Sequence, residues 1–233
     1  MATAKTTKST KTTKKSPKPK AKSAPKSKAP KTVHATEPYH QAFGVILIVV
    51  GVIMVLALIA GVTAYLAKKE TSDAKTFAAE YTQVSQDNLF VYKSGKEIID
   101  ILEHGTGVVF LGFPSCPWCQ AYAPMLNDLA KSYGIETIYY HNTYDDWKGD
   151  TEEYRRYTEI LADFLQYDNV GNRHLYVPNV AFVVDGQIIG NDWETSKDTL
   201  GLKTPAEYWT SERVDAWQSR LAPYFEQIVT ATK

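Results

Sequence analysis

Cys116 and Cys119 are the only two cysteines in a chain of 233 residues, and they stand two residues apart in the stretch F-P-S-C-P-W-C-Q-A-Y-A-P. Such a pair supports dithiol–disulfide exchange, half of a zinc site, a structural bridge, or two inert thiols. Exchange requires a thiolate as nucleophile and a second sulfur near enough to displace it from a mixed disulfide. The run G-V-V-F-L-G-F at 107–113 reads as a buried strand, and Pro117 opens a helix running to about Tyr133, with Gly134 placed to end it. Cys116 therefore falls where a strand ends and a helix begins. Unpaired N–H groups and the positive end of the helix dipole at that point pull a thiol below its ordinary pKa of ~8.5. Cys119 lies one turn on, within reach of a mixed disulfide formed at Cys116.

The other readings have specific requirements. A zinc site needs more ligands, but His34 and His40 precede the apolar segment, and His104, His141 and His174 lack the H-x3–5-H spacing. A bridge across two residues closes too short a loop to constrain the unfolded chain much. Inert free thiols sit badly with an oxidising compartment. Exchange needs no cofactor, because the cysteine pair itself carries the two electrons, and no metal site is expected.

The elements that must hold this pair follow from pattern. A short strand at 89–92 precedes a helix at 95–104 with Ile98, Ile99 and Leu102 on one face. After the cysteine helix come a strand at 135–140, an acidic loop at 144–153, and a helix at 152–167. Strands at 179–184 and 187–190 are joined at Asp185-Gly186, a hairpin signal. Residues 191–210 read as irregular, and a helix at 212–228 turns Val214, Trp217, Leu221, Phe225 and Ile228 inward. The order β-α-β-α-β-α-β-β-α describes an α/β fold, a mixed central sheet flanked by helices. Asp145, Asp146, Asp150, Glu152 and Glu153 lack the spacing and glycine of a calcium loop and read as a solvated face. Trp193 and Trp209 are candidates to line a peptide groove, whereas Trp217 belongs to the core.

The formal charge of zero averages unlike parts: residues 1–40 hold eleven lysines and one acid, while residues 68–233 hold fifteen basic and twenty-five acidic residues. Residues 41–67 carry no charge and are long enough for a transmembrane helix, with Phe43 and Tyr65 near its ends as interface aromatics. The apolar run is too long, and its flank too extended, for a cleaved signal. Residues 1–40 offer no core and read as a disordered cytoplasmic tail. Its lysines suit anionic lipid; nucleic acid is not expected, since no aromatic is interleaved for base stacking. The basic flank keeps the N-terminus inside, which places residues 68–233 outside. Within that part, 68–88 read as a polar stalk, helical around 73–84, and 89–230 as the folded domain.

V-V-F-L-G-F-P-S-C-P-W-C-Q-A-Y-A-P and, later, L-Y-V-P-N-V-A-F-V-V-D-G-Q-I-I-G together resemble the thioredoxin superfamily over about 89–228. That family has a proline five residues after the second cysteine, matched by Pro124, which would kink the helix. It also has a cis-proline before the strand of its terminal hairpin, matched at Val177-Pro178. The resemblance implies a thioredoxin-like fold, catalytic roles for Cys116 and Cys119, Pro178 packed beside Cys116, and a Val177 backbone that pairs with substrate peptide. Trp118, between the cysteines, is expected to be exposed and to touch substrate. The pattern is similar to membrane-anchored extracytoplasmic proteins grouped with bacteriocin transport accessory proteins. It implies a thiol–disulfide oxidoreductase of the cell membrane. Its partners would be exported proteins with cysteines and a membrane or extracytoplasmic redox partner. The alternative is a non-catalytic accessory module with a structural disulfide. Two departures weigh against the role of a strong reductant: Phe110 stands where thioredoxin has a buried acid, and Pro-Trp replaces Gly-Pro between the cysteines. The Cys119 proton then needs another acceptor, for which Glu136 and His141 are candidates by rough position.

Overall fold

The computed structural model describes residues 39–167, 170–193 and 204–233, with the side chains of all but 39–43 and Glu70. The lysine-rich tail and the side chain of Phe43 lie outside the described residues. The chain divides at Val52, with Ile53–Lys233 forming the second compact unit.

Helix α1 spans Tyr39–Glu80. Its most apolar window has a mean hydropathy of 3.3 and none of it is buried, so among the described residues one helix is long and apolar enough to cross a membrane. Beyond that window the chain is not the expected stalk. Ala74, Phe77, Tyr81 and Val84 are all buried, and the Phe77 ring stacks on Phe90 with centroids 3.8 Å apart. Ala74 and Phe77 lie on one face of α1, and Tyr81 and Val84 in the turn after Glu80 continue it. That face covers the sheet, so the folded domain begins well before Leu89.

Five strands form the central sheet. They are β1 (Phe90–Tyr92), β2 (Gly107–Gly112), β3 (Ile138–Asn142), β6 (Asn179–Val184) and β7 (Gln187–Asp192). Their order is β1-β3-β2-β6-β7. β3 runs parallel to β1 and β2, while β6 is antiparallel to both β2 and β7. β2 lies at the centre and every residue in it is buried. Its alternation sorts two cores. Val108 and Phe110 face Phe77, Tyr122, Trp217 and Phe225, and Val109 and Leu111 face Ile98, Leu102, Tyr157 and Leu161. The first face is covered by α1, α3 (Pro117–Ser132) and α7 (Ser211–Ala231), the second by α2 (Gly95–His104) and α5 (Glu152–Ile160). A mixed sheet with helices on both faces is what the element order implied.

Differences from the sequence reading are local. The 144–153 segment is not a loop: α4 (Tyr144–Gly149) forms there, ended by Asp150 at φ 45°, and Thr151 then caps α5 through the Tyr154 N–H. The helix expected to reach 167 stops at Ile160. A 3-10 turn at Ala162–Phe164 leads to β4 (Gln166–Tyr167), which pairs with β5 (Arg173–His174) as a separate ribbon. Strand β7 continues to Asp192, two residues past its expected end, with an irregular register at Phe182/Val183. Within 191–210, a short helix α6 (Pro205–Tyr208) is fixed by a capping box of Thr204 and Glu207. The β6–β7 turn needs Gly186: at φ 74°, a Cβ there would lie 2.0 Å from the Glu103 carbonyl oxygen.

Candidate active site

Cys116 is the N-cap of α3, with Pro117 in the first helical position. Its sulfur accepts the Cys119 backbone N–H at 3.2 Å and lies 3.9 Å from the Val177 carbonyl oxygen. The Val177–Pro178 bond is cis, and Pro178 is buried. Residues 61 positions apart in sequence thus meet at one sulfur because β2 and β6 are antiparallel neighbours. Helix α3 continues through Pro124 to Ser132 without interruption.

The two thiols occupy different environments. Cys116 keeps 7 % of its surface at the edge of the fold, whereas Cys119 is wholly buried. The hydrogen bond from the Cys119 thiol holds Cys116 below the ordinary thiol pKa; burial opposes this, and the backbone N–H groups of Cys119 and Trp118 reinforce it. Burial pushes Cys119 well above the ordinary value, and the neighbouring Cys116 sulfur adds to the rise. Gly112 makes the placement possible: a Cβ there would approach the Cys119 sulfur to 3.0 Å. The result is a nearly buried thiol of lowered pKa with a second thiol directly behind it.

A cleft of about 320 Å³ opens beside Cys116, lined among others by Phe113, Trp147, Tyr154, His174 and Tyr176, with Val177 at its wall. A larger cavity of about 680 Å³ lies between α2 and α5, but its lining is Lys96, Ile99, Glu152, Glu153, Arg155, Arg156 and Glu159, with no sulfur. Of the two, the cleft is the one lined by a thiol, that of Cys116. Trp147, Tyr154 and His174 come from segments without any sequence motif, so pattern alone does not single them out.

Other expectations need correction. Trp118 is half-buried rather than exposed, because its ring meets Tyr208 of α6 edge-on at 5.7 Å. Trp209 packs on Trp217 and Tyr122 instead of lining the cleft. Trp217 is buried as expected. His141 does not serve Cys119: it pairs with Leu111 across the sheet, on the opposite face. Its ring nitrogens engage the Lys93 carbonyl at 2.8 Å and Asp146 at 2.7 Å. Glu136 lies before β3, at the other end of the parallel strands, and is exposed. Gln120 escapes the sequence reading although it directly follows the cysteine motif. Its amide donates to the carbonyls of Glu80 and Pro114, both at 2.8 Å, tying the end of α1 to the cysteine loop. Asp192 escapes it too. It is buried at the end of β7 and accepts from Tyr122, from Trp217 at 2.9 Å and from Arg220 at 3.0 Å.

Among the described residues, no group of three or more His, Cys, Asp or Glu is placed to hold a metal, so the cysteine pair has no partners there for a zinc site. Comparison with known proteins finds no matching family model, no matching curated protein and no matching solved structure.

Proposed function

We propose that this chain is a membrane-anchored thiol–disulfide oxidoreductase with a thioredoxin-like domain, acting on cysteines of exported proteins. The observation that carries the reading is the asymmetry of the pair: Cys116 caps a helix at the edge of an apolar cleft, while Cys119 is buried behind it. The strand order β1-β3-β2-β6-β7 and the cis bond at Val177–Pro178 support the thioredoxin-like assignment. The similarity to bacteriocin transport accessory proteins rests on the C-P-W-C-Q-x-x-x-P run alone. The lysine-rich flank before the apolar helix favours a cytoplasmic N-terminus and an external domain.

In the reaction, the Cys116 thiolate attacks a substrate disulfide, or a substrate thiolate attacks the Cys116–Cys119 disulfide. Either route gives a mixed disulfide at Cys116. In the first, Cys119 attacks the Cys116 sulfur and releases the substrate as a thiol; in the second, the substrate's other thiolate attacks its own bonded sulfur and releases the Cys116 thiolate. An extended substrate segment beside Cys116 meets the Val177 carbonyl and the aromatic cleft wall. Cys119→Ser should accumulate mixed disulfides with exported proteins, seen as thiol-sensitive adducts on non-reducing gels. Cys116→Ser should accumulate none. Equal trapping by both variants would reverse or abolish the assigned roles. Trapping by neither would leave the structural-bridge module as the better reading.

A further inference from the structure

The cleft beside Cys116 differs in composition from the domain around it. Residues 68–233 hold fifteen basic and twenty-five acidic side chains, yet no Asp, Glu, Lys or Arg lines this cleft. Its walls include Phe113, Trp147, Tyr154 and Tyr176, with Leu175 and Val177 beside them. His174 also lines it and adds a positive charge only when protonated. A charged side chain entering there loses hydration and meets no fixed charge of opposite sign. An aromatic or aliphatic one gains by burial.

Helix α4 supplies Trp147 to this wall and has no buried residue of its own. Apart from α1, the described residues expose only four large apolar side chains, Tyr144, Trp147, Tyr167 and Val170. Two of the four lie on α4. The Tyr144 ring meets Phe113 of the cysteine loop at 5.2 Å and Trp147 at 6.3 Å, so an aromatic row runs out from the loop that carries Cys116. The row is braced from behind. Asp146, between Tyr144 and Trp147 in sequence, lies 2.7 Å from His141 Nε2 of β3 and accepts the Tyr157 hydroxyl of α5 at 3.2 Å. The Lys148 ammonium lies over both rings, 5.5 Å from the Tyr144 centroid and 5.1 Å from that of Trp147, outside the cleft lining. Exposed aromatic rings gathered beside a reactive thiol, on a fixed support, have the character of a binding surface.

We propose that this aromatic row selects the substrate, an extended segment of an exported protein whose cysteine is flanked by aromatic or aliphatic residues, with Trp147 as the specificity-determining residue. This rests on the thiol–disulfide reading above. Position identifies the occupant. The Val177 carbonyl, 3.9 Å from the Cys116 sulfur, borders the same cleft as Trp147. A substrate sulfur bonded to Cys116 therefore brings the residues next to it against this wall. Uncharged flanks fill the cleft, whereas a lysine flank meets the Lys148 cation outside it and no carboxylate within it.

The test uses the full chain, reduced, in detergent micelles. The probes are peptides Ac-Gly-X-Cys-X-Gly-NH2 with X as Phe, Ala or Lys, each carried as a mixed disulfide with thionitrobenzoate. Both flanks change together, so no direction of the segment is assumed. The Cys116 thiolate bonds the peptide sulfur as thionitrobenzoate leaves with the electron pair of the broken bond. Cys119 then bonds Cys116 and the peptide leaves as a thiol, taking up the Cys119 proton. The protein ends as the disulfide, and both sulfurs of the probe are reduced. The rate of thionitrobenzoate release is divided by that of the same probe with glutathione, which removes intrinsic reactivity. Wild type should prefer the Phe probe to the Ala probe about tenfold and should take the Lys probe slowest. Trp147→Ala should cut the Phe preference to about twofold or less with the Ala rate unchanged. Trp147→Glu should bring the Lys probe ahead of the Ala probe, and ratios within one variant do not depend on how much of it is folded. Equal rates for Phe and Ala probes in wild type would overturn the proposal; so would a Phe preference that survives in both variants. Failure of wild type to react with any probe that glutathione cleaves would instead overturn thiol exchange itself, and this proposal with it.

Discussion

The low thiol pKa of Cys116 has a local cause. As the N-cap of α3 it gathers N–H groups that would otherwise lack partners, and the thiol of Cys119 donates to it. A depressed thiol pKa keeps the thiolate present at lower pH than in an unfolded chain. Its contribution to stability of the reduced protein is complete above the unfolded value of ~8.5 and is lost as pH falls through the folded value. Reactivity follows the same curve. Iodoacetamide should label Cys116 of the reduced protein with a midpoint below ~8.5, while Cys119 stays unlabelled until the protein unfolds. A midpoint at or above the free-thiol value, followed by mass spectrometry, would contradict the helix-cap account. The two cysteines and Pro117 were legible because their placement depends on adjacent residues. Trp118 was not, since Tyr208, which covers it, lies about ninety residues later in a helix with no motif. Tyr81 and Tyr140 were equally hidden: their meeting joins the turn after α1 to β3, 59 residues apart in sequence.

At the scale of elements, the end of α1 departs furthest from its sequence reading. K-K-E-T-S-D precedes its buried face, and Q-D-N follows it, so average polarity suggested a solvated stalk. The apolar spacing 74, 77, 81, 84 was the contrary signal, four residues among polar neighbours. Phe77 is the sharpest test of the correction. Its ring stacks on Tyr81 at 4.1 Å and on Phe90 at 3.8 Å, and meets Tyr140 edge-on at 4.9 Å. Phe77→Ala should destabilise the domain by about 3–5 kcal/mol, measured by urea unfolding. A stalk residue would change stability by less than about 0.5 kcal/mol. By contrast, α2 and the β6–β7 hairpin were readable from sequence, because the apolar face of Ile98, Ile99 and Leu102 and the Asp185-Gly186 turn are local codes. The acidic 144–153 segment misled for the opposite reason. Its helix α4 is short and has no buried residue, so no apolar periodicity marks it, and only Asp150 and Thr151 punctuate its end.

For the molecule as a whole, the site's electrostatics bear on the direction of electron flow in the proposed exchange. Stabilising the Cys116 thiolate stabilises the dithiol relative to the disulfide, which raises the reduction potential and makes the oxidised form a better donor of its bond. Placing Phe110 where thioredoxin carries an acid fits the same trend, as does the proposed external placement of the domain, since exported proteins acquire disulfides there. The second compact unit supplies everything this chemistry uses, so a fragment covering 68–233 retains the buried face of α1 and the cysteine loop it braces through Gln120. Equilibrated with glutathione, the Cys116–Cys119 pair should poise nearer to about −120 mV, the range of strong oxidants, than to about −270 mV, the range of thioredoxin. A value near the latter would make the protein a reductant, and the lysine-flanked helix would then anchor it beside a source of electrons in the membrane. A value well below about −300 mV would describe a bridge too stable to exchange. The asymmetry of the two thiols would then serve packing rather than catalysis.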